Sequence, residues 1–138
     1  MGSLSSAEEI QILIKTELDI VTARKEGREL AIKVGFTGSQ PTLIATAISE
    51  VARNIIKYAK QGEVILTLIK EETRSGIQII AQDQGPGISN IESAMQDGYS
   101  TGNSLGIGLP GAKRLMDEFD IRSAVGKGTT VTMTKWVT

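Results

Sequence analysis

The sequence predicts an α/β (α+β) two-layer chain: a mixed, mostly antiparallel sheet with helices on one face. Three observations predict it. The apolar segments fall in the order β-α-α-β-β-loop-α-β-β. Strands adjacent in sequence are joined by short turns, which favours an antiparallel or mixed sheet with its helices gathered on one face. And 138 residues are of the size of one domain, enough to bury roughly two-thirds of the surface the unfolded chain exposes, so no covalent staple is needed.

Each element has its own signal. The run Ile10–Ile14 is short and apolar and reads as a strand. Asp19 is placed to cap a helix whose apolar positions are Ile20, Ala23, Leu30, Ala31 and Val34, with Gly35 to end it. Gly27 lies inside that helix and weakens it. A second helix starts at Pro41 or Thr42 and carries the stripe Ile44, Ile48, Val51, Ile55 and Tyr58. Strands follow at 64–69 and 77–81, with Thr73-Arg74-Ser75-Gly76 as the turn between them. Residues 83–108 are rich in Gly and polar residues, with a short helical piece at 91–95; an irregular run of this length marks a binding loop. A third helix is expected from Pro110 to Phe119, then a closing hairpin of 121–125 and 129–137 around Gly126-Lys127-Gly128.

Composition removes several classes of chemistry. Lys and Arg number 15 and Asp and Glu 16, a net charge of −1, which gives no support for nucleic-acid or anionic-membrane partners. There is no Cys and no His, so acid–base work falls to Asp, Glu, Lys or Tyr. Any metal site must be built from oxygen, which favours Mg²⁺. No apolar run is long enough to span a bilayer and no signal-peptide pattern opens the chain, so a cytoplasmic location is expected.

Four clusters carry chemistry. Glu50 and Asn54 are four apart on the second helix and project from one face. The Asn amide oxygen is a neutral, hard ligand for Mg²⁺, and the Glu carboxylate is a general base; the same pair is also common on solvated helix faces. Asp83-Gln84-Gly85-Pro86-Gly87-Ile88 follows an apolar strand. A carboxylate there accepts from the exocyclic amine of adenine and repels the carbonyl of guanine, although an Asp-Gly turn is the plainer reading. The loop Gly98-Tyr99-Ser100-Thr101-Gly102 and then Gly106-Ile107-Gly108-Leu109-Pro110-Gly111 runs into a helix whose N-terminal N–H groups suit phosphate. Its literal GxGxxG is not a dinucleotide fingerprint, because Gly102-Asn103-Ser104-Leu105 precedes it where a strand is required. Gly126-Lys127-Gly128-Thr129 has Gly where a phosphate-binding P-loop needs Ser or Thr after Lys. Thr129, opening the last strand, either steadies a water at the base or is an ordinary β-branched strand residue.

The order of these clusters is more specific than any of them. Glu50-Val51-Ala52-Arg53-Asn54, Asp83-Gln84-Gly85-Pro86-Gly87 and Gly106-Ile107-Gly108-Leu109 resemble the N box and two glycine boxes of the GHKL ATPases, the superfamily of gyrase, the histidine kinases and MutL. Its fold is the Bergerat ATP-binding fold. The strings TAISEVARNIIKYA, IIAQDQGPGI, DGYSTG and GLPGAKRLMDEF resemble the bacterial anti-sigma regulatory kinases, and among them the stressosome switch kinases, over about residues 10–136. The resemblance implies a single ATP-binding kinase domain over 1–138 that phosphorylates Ser or Thr on STAS-domain proteins and activates a serine phosphatase. It implies Glu50 as general base and Asn54 as ligand of Mg²⁺. ATP or ADP would be held by Asn54, Asp83, Gly85, Gly87, Ile88, Thr101, Gly102, Gly106, Ile107, Gly108, Leu109 and Thr129. The resemblance also departs at Asn103-Ser104, where relatives tend to carry a further Gly, which implies a stiffer lid over the nucleotide. Three alternatives stay open: a nucleotide-gated module that acts by sequestering its partner, an ATPase of the gyrase kind, and a histidine-kinase catalytic domain. The last two fit poorly a short chain with no further domain and no phosphoacceptor His.

Overall fold

The computed structural model describes residues 9–87, Met95 and 108–138. Their elements are β1 (Glu9–Ile14), α1 (Glu17–Val34), α2 (Gln40–Ala59), β2 (Gly62–Lys70), β3 (Ser75–Asp83), α3 (Gly108–Leu115), β4 (Glu118–Ala124) and β5 (Gly128–Trp136). The sheet order is β1-β2-β3-β5-β4, and all four neighbouring pairs are antiparallel. The expected helical piece at 91–95 lies, but for Met95, outside the described residues.

Alternation along the strands sorts the two faces. Val64, Leu66, Ile77, Ile79, Ala81, Val131 and Met133 are buried under the helices. The intervening Ile65, Gln78, Ile80 and Thr132 are half-buried on the uncovered face. α2 packs its fully buried Ile44, Ile48 and Val51 into this core and lies between α1 and α3, touching both. It begins at Gln40 with Pro41 in its first turn, as the sequence suggests. α1 crosses it closely at Gly27: a Cβ there would lie 2.1 Å from Ile48 Cδ1. The glycine that weakens the helix is what lets the pair approach.

Three local expectations are corrected. The cap of α1 is Thr16, not Asp19. Thr16 Oγ1 accepts from Asp19 N–H at 3.3 Å, and Asp19 Oδ2 accepts from the backbone N–H groups of Thr16 at 3.0 Å and Lys15 at 2.8 Å. The pair forms a capping box with Asp in the place Glu usually takes. The third helix ends at Leu115 rather than Phe119, because Glu118 and Phe119 pair with Thr134 and Met133 in the sheet. Asp117 holds that junction, with its N–H on Thr134 O at 2.9 Å and its Oδ2 accepting from Trp136 N–H at 2.8 Å. The β2–β3 turn sits two residues earlier, at 71–74, closed by Glu71 N–H to Arg74 O at 2.8 Å. Ser75 and Gly76 belong to β3, and Gly76 lets Trp136 lie close, since a Cβ there would meet Lys135 O at 2.4 Å.

Replacing Thr16 by Ala removes one side of the cap and should cost about 1 kcal/mol in urea unfolding. Gly27→Val forces α1 off the buried Ile48 and should cost about 1–3 kcal/mol or more in the same measurement. The N–H groups of Lys15 and Thr16 hold the Asp19 carboxyl below the usual carboxylate range, and the amides of Gln82 and Gln11 do the same for Glu63. Folded values below unfolded ones give stability that is present above the unfolded value and is lost as pH falls through the lowered one. Unfolding midpoints should therefore drop on acidification below about pH 4. The drop should be shallower in Asp19→Asn.

Candidate functional site

Glu50 sits mid-way along α2 on the side facing α3, and only 6% of it is exposed. A carboxylate this deep needs partners for its lone pairs. Oε1 accepts from the Gly108 backbone N–H at 3.0 Å, and Oε2 from Arg53 Nη1 at 3.1 Å. Gly108 is the first residue of α3 and adopts φ +69°, a conformation that favours glycine. Glu50 therefore stands at the positive end of α3 and binds one of its orphan N–H groups. Asn54, one turn further along α2, is half-buried.

The second cluster surrounds Asp83, the last residue of β3. It is buried and opposite Gly62 on β2 and Thr129 on β5. Its Oδ1 accepts from Gly85 N–H at 2.9 Å, and Oδ2 makes no hydrogen bond among the described residues. Glycines crowd around it. A Cβ on Gly85 would lie 2.5 Å from Ala59 Cβ, and one on Gly62 2.5 Å from Gln82 O. A Cβ on Gly128, where φ is +90°, would lie 2.0 Å from Asp83 O. Gly87, at φ +83°, would meet Ala124 O at 2.3 Å. The first glycine box is thus pressed against the end of α2 and the β4–β5 hairpin, and Gly126 N–H reaches Pro86 O at 2.8 Å. Thr129 is buried, and its hydroxyl lies 2.7 Å from Ser123 Oγ.

A hollow of about 320 Å³ touches Asp83 at this end of the sheet. Leu13, Glu63 and Gln82 line it and point to the uncovered face, whereas the Asp83 side chain follows Ala81 and Ile79 toward the helices. It is therefore not the space the carboxylate faces.

α2 spaces the two clusters. Glu50 and Ala59 are nine residues apart, roughly 13 Å along the axis, with Asn54 between them. Asp83, Asn54 and Glu50 thus follow one another along the length of α2, and the N-terminus of α3 meets Glu50.

Residues 15–135 match the histidine kinase-like ATPase domain family. The chain belongs to that family. As a histidine kinase-like ATPase domain it is 48% identical over 126 residues to the serine/threonine-protein kinase RsbT of Bacillus subtilis, covering 91% of this chain and 95% of that one. It is 36% identical over 98 residues to the anti-sigma F factor of Caldanaerobacter subterraneus subsp. tengcongensis, 68% of each chain. With the anti-sigma F factor of Clostridium acetobutylicum it shares 30% over 138 residues, 96% of this chain and 94% of the relative. The Bergerat fold expected from the boxes is the fold observed, and nucleotide use follows from the family.

Of the expected site residues, the fold brings Asp83, Gly85, Gly87 and Thr129 together at one end of α2. Glu50, Gly108 and the buried Leu109 meet at its middle, with Asn54 beside them. Ile88, Thr101, Gly102, Gly106 and Ile107 lie outside the described residues. Two contributors were not singled out in the sequence. Arg53 was legible, since an i, i+3 Glu–Arg pair on a helix places the guanidinium on the carboxylate. Ser123 had no local signal, because its hydroxyl reaches Thr129 only through the β4–β5 pairing.

Gly128→Ala combines a forbidden φ with a clash on the Asp83 carbonyl. It should lower stability by more than about 1 kcal/mol in chemical denaturation. Gly126→Ala, whose Cβ meets nothing within 4 Å, shares only the φ penalty and should cost less.

Proposed function

We propose that this chain is an ATP-dependent protein serine/threonine kinase of the cytoplasm. Its substrates would be STAS-domain proteins of a stressosome, and as a partner switch it would activate a serine phosphatase in a sigma-factor pathway. The observation that carries the reading is the buried Glu50 carboxylate at the first N–H of α3, in a chain nearly half identical to a named serine/threonine kinase.

The residues fit a nucleotide. Asp83 Oδ2 is left to accept from the adenine amine, while Oδ1 is occupied by the Gly85 N–H that orients it. The glycine contacts leave no room for side chains around it. Thr129, fixed by Ser123, steadies the base end. The N-terminus of α3 supplies N–H groups and a favourable dipole for phosphate. Among the described residues no cluster of three or more acidic side chains could hold a metal. Mg²⁺ would then be shared between the Asn54 amide oxygen and phosphate oxygens, as is usual for this ion, and would neutralise phosphate charge. Glu50 would accept the proton of the attacking hydroxyl. Arg53 and the Gly108 N–H would aim its carboxylate.

Transfer of radiolabelled γ-phosphate from Mg-ATP to a STAS-domain protein tests the reading. Glu50→Gln keeps an acceptor for Gly108 and the side-chain volume but cannot take a proton. It should lower transfer about 10²-fold or more while ADP affinity stays within a few-fold. Asp83→Asn should instead lose ADP itself. Equal ADP affinity for Asp83→Asn and the parent would refute the adenine assignment, and undiminished transfer by Glu50→Gln the base assignment.

The anti-sigma F factor relatives favour a second reading, a nucleotide-gated module that acts mainly by sequestering a partner. That reading would take over if the parent bound ADP and partner tightly and transferred no label.

A further inference from the structure

The sheet register lines up three polar side chains beside the first glycine box. Asp83 stands opposite Thr129, and Thr129 opposite Ser123, so all three share the helix-facing side of the sheet. On the other flank of Asp83 is Gly62, which brings no side chain. Asp83 and Thr129 are buried, and Ser123 is half-buried. Directly opposite residues of an antiparallel pair have Cβ atoms about 4.5–5.5 Å apart. A polar group that meets Asp83 Oδ2 is therefore within reach of Thr129 as well.

Counting donors fixes where the protons of this row lie. A hydroxyl has one hydrogen to give and lone pairs to receive, whereas a backbone carbonyl oxygen only receives. Ser123 Oγ lies 3.1 Å from Gly128 O and 2.7 Å from Thr129 Oγ1. Ser123 must be the donor to Gly128 O. Its one hydrogen is then committed, so Ser123 accepts in its contact with Thr129, and Thr129 donates. Thr129 has no second hydrogen. Toward Asp83 its Oγ1 therefore offers lone pairs only. The contacts of Asp83 agree with this count. Among the described residues its carboxylate accepts from Gly85 N–H and not from the neighbouring Thr129 hydroxyl.

We propose that Ser123 is a positioning residue for base specificity: by accepting the Thr129 proton, it makes Thr129 a second acceptor beside Asp83 Oδ2. The inference deepens the nucleotide reading above and rests on it. Two neighbouring acceptors suit an exocyclic amine, whose two hydrogens serve both oxygens directly or through one water. A purine with an oxo group in that place sets a third acceptor against them and finds no donor. Selection of an amino purine over an oxo purine then depends on the Thr129 hydroxyl and on the Ser123 hydroxyl behind it, as well as on Asp83.

The test compares the affinity of the full chain for ADP and for inosine diphosphate, whose base carries an oxo group where adenine has its amine. The parent should prefer ADP by at least about 10²-fold in titration calorimetry. Ser123→Ala releases the Thr129 hydrogen, which can then turn to the oxo group, and the preference should shrink about tenfold. Ser123→Thr keeps a hydroxyl and should keep the parental preference. Thr129→Val should shrink the preference too. Adding Ser123→Ala to Thr129→Val should change it no further, because Ser123 acts through the Thr129 hydroxyl. Binding of ADP by each variant shows that its fold is intact.

A purely structural Ser123 predicts something else: Ser123→Ala would weaken both nucleotides alike and leave the preference unchanged, which overturns the proposal. Additive effects in the double variant overturn it as well, as does a loss in Ser123→Thr equal to that in Ser123→Ala. Failure of the parent to bind ADP would overturn the nucleotide reading and this inference with it. ADP binding with an unchanged preference in Ser123→Ala would overturn this inference alone.

Discussion

α2 has to serve two environments at once. Ile44, Ile48, Val51 and Ile55 must lie in the core, and that fixes the rotation of the helix about its axis. Once the rotation is fixed, the positions of Glu50 and Asn54 are fixed with it, since side chains on a helix cannot be re-aimed independently. The glycines complete the constraint from outside. Gly27 lets α1 approach Ile48, Gly62 lets β2 approach Ile55, and Gly85 lets the loop after β3 rest on Ala59. The separation between Glu50 and Asp83 is therefore set by how α2 packs on the sheet and on the loop after β3.

Electrostatics explain why Glu50 tolerates its burial. An ionised carboxylate in the interior costs several kcal/mol unless its lone pairs are met. Here a backbone N–H at a helix N-terminus and a guanidinium meet them, and both are charge-assisted contacts. The same bond couples the position of α3 to α2. A group at the N-terminus of α3 thus senses the helix that carries the candidate base. Asp83 is handled differently: one oxygen is tied to Gly85 and the other is left unbonded by the described residues. One carboxylate is held at both oxygens and the other at one.

Much of the fold was legible because its signals are local. The stripe of α2, the glycine ending α1, the alternating strands and the closing hairpin depend on periods of 3.6 and 2 within single segments. The errors arose where a distant element decided. Phe119 continues a helical pattern, yet Met133 recruits it into β4. Ser75 and Gly76 read as a turn, yet Trp136 pairs with Gly76 and Val137 N–H reaches Ser75 O, which draws both into the sheet. The cap of α1 is a local exception: Asp19 reads as the cap, and Thr16 three residues earlier takes that role with Asp19 as its reciprocal partner.

The sequence by itself determined the chemical inventory and its order: no thiol or imidazole, a Glu and an Asn one turn apart, an acid followed by glycines, and a glycine run entering a helix. Those facts follow from residue identity and short-range spacing. Only the tertiary structure decided that Glu50 meets Gly108 across 58 residues and that Ser123 meets Thr129. Such contacts join segments whose separation along the chain carries no periodic signal. Burial of the shared core is what brings them within reach.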